Sequence, residues 1–204
     1  MSSEFRNVKL VNTDPSSVGL FGLALVTLVA SSQKLGITSG TSYLIPWAFF
    51  LGGCAQLFAC VEDAKRENLF GTTAFAAYGL FWVSMAFSWL IGAGVFGEHL
   101  AAAVDPGQLG MVFIGFLILS LFLTVVAAEL NKVLFLIIFL INFLFIGLAM
   151  DSFGIMSGFA HSLAAYSELA ISMLGFYGCG ATLLNNFFGR VILPTGKPLG
   201  ITKR

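Results

Sequence analysis

The sequence predicts an all-α integral membrane protein with six transmembrane helices per subunit, and its composition, uncharged runs and placement of basic residues all indicate this. Hydrophobic residues make up 58% of the 204 residues and charged residues only 10%, whereas soluble proteins carry about 25% charged residues. Six runs contain no Asp, Glu, Lys or Arg, and they cover 15–33, 35–61, 68–97, 106–128, 133–150 and 169–189. Each run reaches the roughly 17 to 25 apolar residues that a helix needs to cross a bilayer.

The first three helices are predicted over 18–33, 44–61 and 70–91. Each carries a pair of glycines, which lets membrane helices approach closely. The glycines are Gly19 and Gly22, Gly52 and Gly53, and Gly71 and Gly79. We favour a packing role over substrate contact for them.

The last three helices are predicted over 109–129, 133–150 and 163–187. The fifth is apolar around nearly its whole circumference except at Asn142, so much of its surface can face lipid or another subunit. The sixth carries Gly175, Gly178 and Gly180 and, near its outer end, Glu168. The chain therefore divides into a short arm (1–17), a six-helix domain (18–188) and a basic tail (189–204).

Six successive membrane crossings place the loops alternately on the two sides of the membrane, and the basic residues fall almost entirely on one side. Only Lys34 falls on one side, and nine fall on the other: Arg6, Lys9, Lys65, Arg66, Lys132, Arg190, Lys197, Lys203 and Arg204. Cytoplasmic loops retain Lys and Arg, so we expect both termini in the cytoplasm. The distribution of basic residues thus indicates the orientation of the chain in the membrane, and no nucleic-acid partner is predicted.

Ionisable side chains are scarce within the predicted helices. Glu168 is the exception, and we expect it to face water at the interface. The three cysteines lack C-x-x-C spacing and are expected to be small buried residues, while His99 and His161 fall in predicted external loops. No catalytic, metal or cofactor site is predicted, because the residue sets that build one do not occur together in the helices.

Neutral polar side chains are the remaining candidates for a site. The candidates for lining a path are Gln56, Thr72, Thr73, Asn142 and Tyr177. Amides and hydroxyls can donate hydrogen bonds to a small carboxylate while binding it weakly enough to release it. The same groups also join neighbouring helices, and for any one residue both interpretations stay open.

Four separated motifs resemble the acetate uptake transporter family, the succinate–acetate permeases and their yeast relatives. They are D-P-S-S-V-G-L-F-G-L at 14–23, F-L-G-G-C-A-Q-L-F-A at 50–59, N-L-F-G-T-T-A-F-A-A-Y-G-L-F-W at 68–82 and N-N-F-F-G-R-V-I-L-P-T-G at 185–196. They occur in the family's order and span nearly the whole chain. The first motif departs from the family's form at several positions, and among them Asp14 replaces Asn, Ser17 replaces Pro and Leu23 replaces Phe.

The resemblance implies a homohexameric ring in the bilayer, with a separate path for acetate, and sometimes succinate, through each protomer. Family members have been regarded both as proton-coupled carriers and as anion channels. By motif, the apolar constriction of the path falls at Leu23, Tyr78 and Ile141, with Gln56 beside it. The implied location is a bacterial or archaeal plasma membrane. The alternative function is a membrane scaffold or sensor that keeps the fold without conducting.

Overall fold

The structure is a computed structural model that describes residues 13–202. It contains six long helices: α1 (Ser16–Lys34), α2 (Leu44–Lys65), α3 (Leu69–Gly92), α4 (Pro106–Ala128), α5 (Lys132–Ser152) and α6 (Ser157–Phe188). One short helix, Glu98–Ala102, lies between α3 and α4. All six long helices are long and apolar enough to cross a membrane. This confirms the predicted all-helical fold with six spans.

Polar side chains fix where several of the helices begin. The side-chain oxygens of Asn68, Asp105 and Asn131 accept hydrogen bonds from backbone N–H groups in the first turns of α3, α4 and α5, at 3.2, 2.8 and 3.0 Å. These groups have no partner inside the helix, so such caps stabilise its start. At the other end of the chain, α6 stops at Gly189, which adopts a left-handed conformation with φ of 61°.

Two helices extend furthest beyond their predicted ends. Helix α2 reaches Lys65 instead of 61, and α6 begins at Ser157 instead of 163. The predicted bounds followed the apolar residues, whereas a helix continues through polar residues until its backbone is capped or broken. The expectation that His161 lies in a loop is therefore wrong, since this residue is in the second turn of α6.

The middle of α2 is a π-helix over Ala48–Ala55, a rare geometry that is frequent near functional sites. It contains Gly52, where an added Cβ would lie 2.7 Å from Cγ of Trp82 on α3. On its other side, an added Cβ at Gly22 of α1 would collide with the backbone oxygen of Leu51. These close approaches confirm a packing role for Gly22 and Gly52.

The helices pack around the interior in the order α3, α2, α1, α6, α5, α4. One end of the bundle, here called the basic end, carries five of the six Lys and Arg residues among residues 13–202: Lys65, Arg66, Lys132, Arg190 and Lys197. Contacts join the chain segments of this end, including an Arg66–Asp14 ion pair at 3.0 Å and a 3.1 Å hydrogen bond from the Val133 backbone to Thr195. The opposite end carries Lys34.

Candidate functional site

A cavity of about 340 Å³ runs into the bundle from the basic end. Helices α1, α3 and α5 supply most of its wall, which is mainly apolar, and α2 contributes Gln56. Its polar members at the mouth are Ser16, Asn68, Glu129 and Asn131. Such a chamber, apolar with a few polar groups, is typical of sites for small molecules.

The inner end of this cavity is closed by Leu23 and Tyr78. Both residues also line a second, small cavity of about 20 Å³, whose wall includes Ile141. All three side chains are buried, with exposed fractions of 6%, 4% and 3%. A water molecule needs roughly 10–15 Å³ of such space, so the small cavity has room for about one water. It is too small for acetate, and the bundle is closed at this level.

An aromatic cluster surrounds the small cavity. The ring of Phe145 lies 5.3 Å from Phe81, 5.5 Å from Phe116 and 6.4 Å from Tyr78, measured between centroids. The Tyr78 hydroxyl shares a 2.8 Å hydrogen bond with the buried Ser120 hydroxyl of α4. Packing and this hydrogen bond therefore hold the Tyr78 ring across the end of the large cavity.

Gln56 is the polar candidate that lies in the cavity wall. It follows the π-helix directly and is fully buried, and its Nε2 donates a 2.8 Å hydrogen bond to the Gly52 carbonyl. Its Oε1 has no hydrogen-bond partner among the described residues. Because an amide nitrogen carries two hydrogens, one N–H remains for a solute in the cavity.

The other four polar candidates lie outside the residues that line either cavity. Asn142 donates to Thr124 of α4 at 2.8 Å, and Tyr177 donates to the Pro194 carbonyl at 2.9 Å. Thr72 donates to the backbone of its own helix at 2.8 Å, and Thr73 is partly buried on α3. The structure thus gives Asn142 and Tyr177 partners in neighbouring segments, and a part in a substrate path stays a prediction for all four.

Asn68 and Asn131 were missed as cavity residues by the sequence analysis. Each caps a helix that starts at the basic end and also lines the cavity mouth. The available signal was their position, since Asn before an apolar run is typical of a helix start. The first turns of α3 and α5 are consequently placed beside the mouth.

Asp14, which departs from the family motif, organises the start of α1 at the same end. Its Oδ1 accepts from the Ser16 backbone at 3.0 Å and binds Arg66 Nη1 at 3.0 Å. Partial burial opposes ionisation, but the Ser16 and Arg66 interactions outweigh it and lower the pKa of Asp14 below its usual value. An ionised Asp14 therefore ties the segment before α1 to the end of α2.

Glu168 differs from its predicted environment. It is only 2% exposed, and its Oε2 binds Lys34 Nζ at 2.8 Å. The expectation that it faces water is wrong, because α1 and α6 pack closely and the Lys34 side chain reaches the carboxylate from the end of α1. His161 Nε2 lies 2.9 Å from the Lys34 carbonyl and also joins these two helices. Cys54, expected to be buried, is exposed on α2.

The fold and the cavity define a multi-pass membrane protein with a solute-sized chamber inside one six-helix unit. The sequence profile of the GPR1/FUN34/yaaH family matches residues 3–196. The chain therefore belongs to the GPR1/FUN34/yaaH family, which confirms the resemblance found in the motifs.

Individual relatives support the same assignment. The chain is 30% identical over 192 residues to the succinate-acetate/proton symporter SatP of Escherichia coli (strain K12), covering 94% of this chain and 98% of that protein. It is 30% identical over 144 residues to the ammonia transport outward protein 2 of Saccharomyces cerevisiae, covering 69% of this chain and 51% of the yeast protein. The solved structure of the bacterial acetate channel SatP matches with a TM-score of 0.83 and 28% identity, covering 92% of this chain and all of that one.

Proposed function

We propose that this protein is a permease or channel for acetate and similar short carboxylates, with a path through each protomer. The observation that carries the proposal is the large cavity ending at Leu23 and Tyr78, in a chain that belongs to this family. The relatives named for acetate supply the substrate class. The path runs from the basic end through the cavity and past Leu23, Tyr78 and Ile141.

The chemistry of the wall suits a small amphipathic anion. Apolar side chains pack against the methyl group, and the amides of Gln56, Asn68 and Asn131 offer N–H donors to the carboxylate. No Lys or Arg lines either cavity among residues 13–202. Without a cationic partner, the carboxylate is held weakly, which permits release.

The proposed setting is a plasma membrane of a bacterium or archaeon, with the basic end and both termini in the cytoplasm. The charge distribution supports this orientation. A homohexamer is proposed on the family resemblance. Large apolar side chains exposed on the bundle surface, including Phe50, Phe122 and Tyr166, supply faces for lipid and for neighbouring subunits. Movement of acetate is passive or coupled to protons.

The test is flux of labelled acetate into liposomes that contain only this protein, compared with protein-free liposomes of the same lipid. The pH is kept where nearly all of the acid is ionised, because neutral acetic acid crosses lipid unaided. Labelled methylammonium is the second solute, since one relative is named for ammonia transport. Protein-dependent acetate flux is expected. Absence of acetate flux from correctly folded protein would favour the scaffold or sensor. Methylammonium flux without acetate flux would indicate that the protein carries ammonium and not acetate.

A further inference from the structure

Asp63 is a buried carboxyl that the proposed path does not use. It lies near the end of α2 and is 0% exposed. Neither of its oxygens has a hydrogen-bond partner among the described residues. An ionised carboxylate in such a place is costly unless it is paired, so a buried group of this kind tends to bind a proton. Asp63 was not predicted as a site residue, because the predicted α2 ended at residue 61.

The Asp63 carboxyl sits directly behind the wall of the cavity mouth. Gly71 of α3 packs against it so closely that an added Cβ would collide with Asp63 Oδ2. The side chain of Asn68 lies beside the same carboxyl and interacts with it. Both Gly71 and Asn68 line the large cavity. A charge on Asp63 is therefore felt by an anion in the mouth.

Two acids share one guanidinium here. Arg66 Nη1 lies 3.8 Å from Asp63 Oδ1 but 3.0 Å from Asp14 Oδ1, so Asp14 holds the closer pairing. Among the remaining neighbours, Glu62 is bound by Lys65 at 2.6 Å, and the Cys60 thiol lies one turn earlier in α2. Helix α3, which packs against Asp63, contains no Asp, Glu, Lys or Arg. With both aspartates ionised, the group Asp14, Arg66 and Asp63 carries one net negative charge.

Water can reach this group from the basic end. Asp14 and Arg66 line a surface crevice of about 410 Å³, and the Arg66 side chain is 33% exposed. The Asp63 carboxyl thus lies between the crevice and the cavity, behind the Arg66–Asp14 pair on one side and behind Gly71 and Asn68 on the other.

We propose that Asp63 is a proton-binding site that links acetate passage to protonation at the basic end. A hydronium ion in the crevice gives up one proton, an O–H bond forms on the Asp63 carboxyl, and the net charge of the group changes from minus one to zero. Loss of that charge removes repulsion of a carboxylate in the mouth. This inference rests on the proposed function, because it assigns the proton to the same acetate path.

The transport test compares Asp63→Asn with the matched control Glu62→Gln, which neutralises the neighbouring surface carboxylate. Exchange of labelled acetate is measured in liposomes with equal pH on both sides, over a series of pH values, and the exchange in protein-free liposomes at each pH is subtracted because neutral acetic acid crosses lipid unaided. In the unmodified protein and in Glu62→Gln, exchange should fall as pH rises, by up to about tenfold per pH unit. In Asp63→Asn it should not depend on pH. An unchanged pH profile in Asp63→Asn would overturn the proposal.

Infrared spectroscopy tests proton binding without relying on transport. A protonated-carboxyl band should appear as the pH is lowered, persist in Glu168→Gln and be lost in Asp63→Asn. If no such band appears in the unmodified protein at any pH at which it stays folded, Asp63 does not bind a proton and the proposal fails. If the band is present but acetate flux is not found, the site stands while the proposed acetate function fails. Should Asp63→Asn not fold, Asp63→Glu must retain the band and shift its position.

Discussion

Replacing Tyr78 by alanine removes the phenol ring that separates the large cavity of about 340 Å³ from the small cavity of about 20 Å³. The missing ring contains more non-hydrogen atoms than acetate does. The two cavities should therefore join into one passage. The change also removes the hydrogen bond to Ser120 and leaves space beside Phe145.

The selectivity of the path should change more than its capacity for acetate. A site that fits its solute closely discriminates by about 1–3 kcal/mol per methylene-sized difference. Opening the constriction should remove discrimination of this order, so uptake of succinate relative to acetate should rise about tenfold. Leu23→Phe, which adds a ring at the same level, should lower the same ratio.

The assay is competitive uptake of the two labelled acids into liposomes at matched protein content. Large aromatic-to-alanine changes in a core cost about 3–5 kcal/mol, so folding is checked first by size-exclusion chromatography. Phe75→Ala is the matched control. Phe75 lies on the same helix as Tyr78 and lines the large cavity but not the small one. If Tyr78→Ala and Leu23→Phe keep the parent's selectivity while folded, the constriction lies elsewhere.

Three further predictions concern topology, assembly and stability. Single cysteines in a cysteine-free background should react with an impermeant reagent in intact cells at His99 but not at Arg66; the reverse result would invert the orientation. Native mass spectrometry in mild detergent should show about six chains, and a monomer in every detergent tried would refute this. Glu168→Gln should lower the free energy of unfolding by about 1.5–3 kcal/mol, because Lys34 loses a charged partner. The double variant Lys34→Met with Glu168→Leu should recover most of the lost melting temperature. An unchanged melting temperature in Glu168→Gln would contradict a stabilising pair.

The six helices could be located along the sequence because each one depends on its local composition. Uncharged runs locate the six spans, and Asn68 and Asn131 stand at helix starts where their side chains cap the backbone. The meeting of Leu23, Tyr78 and Ile141 around one small cavity followed from motif alignment rather than from periodicity. Apolar patterning alone does not say which faces of three separate helices converge.

The surroundings of ionisable residues could not be predicted, because they depend on contacts between distant segments. Glu168 is buried by the packing of α6 on α1 and by Lys34, which lies 134 positions away. Asp63 is buried because α3 turns back against α2 with Gly71 facing the carboxyl. A polar residue just outside an apolar run is usually exposed, and only the packing of its neighbours reverses that rule.

The placement of charge suggests where the barrier to an anion lies. Among residues 13–202, the ionisable side chains that line the two cavities are Glu129 at the mouth and the Tyr78 phenol. A carboxylate that has passed the amides of the mouth meets Leu23, Ile141 and the aromatic cluster without a cation to replace its hydration. Burying an unpaired charge is costly, whereas a neutral acid loses far less. Protonation of Asp63 would therefore act at the step before the constriction, because it removes a repulsive charge from beside the mouth where acetate must give up water.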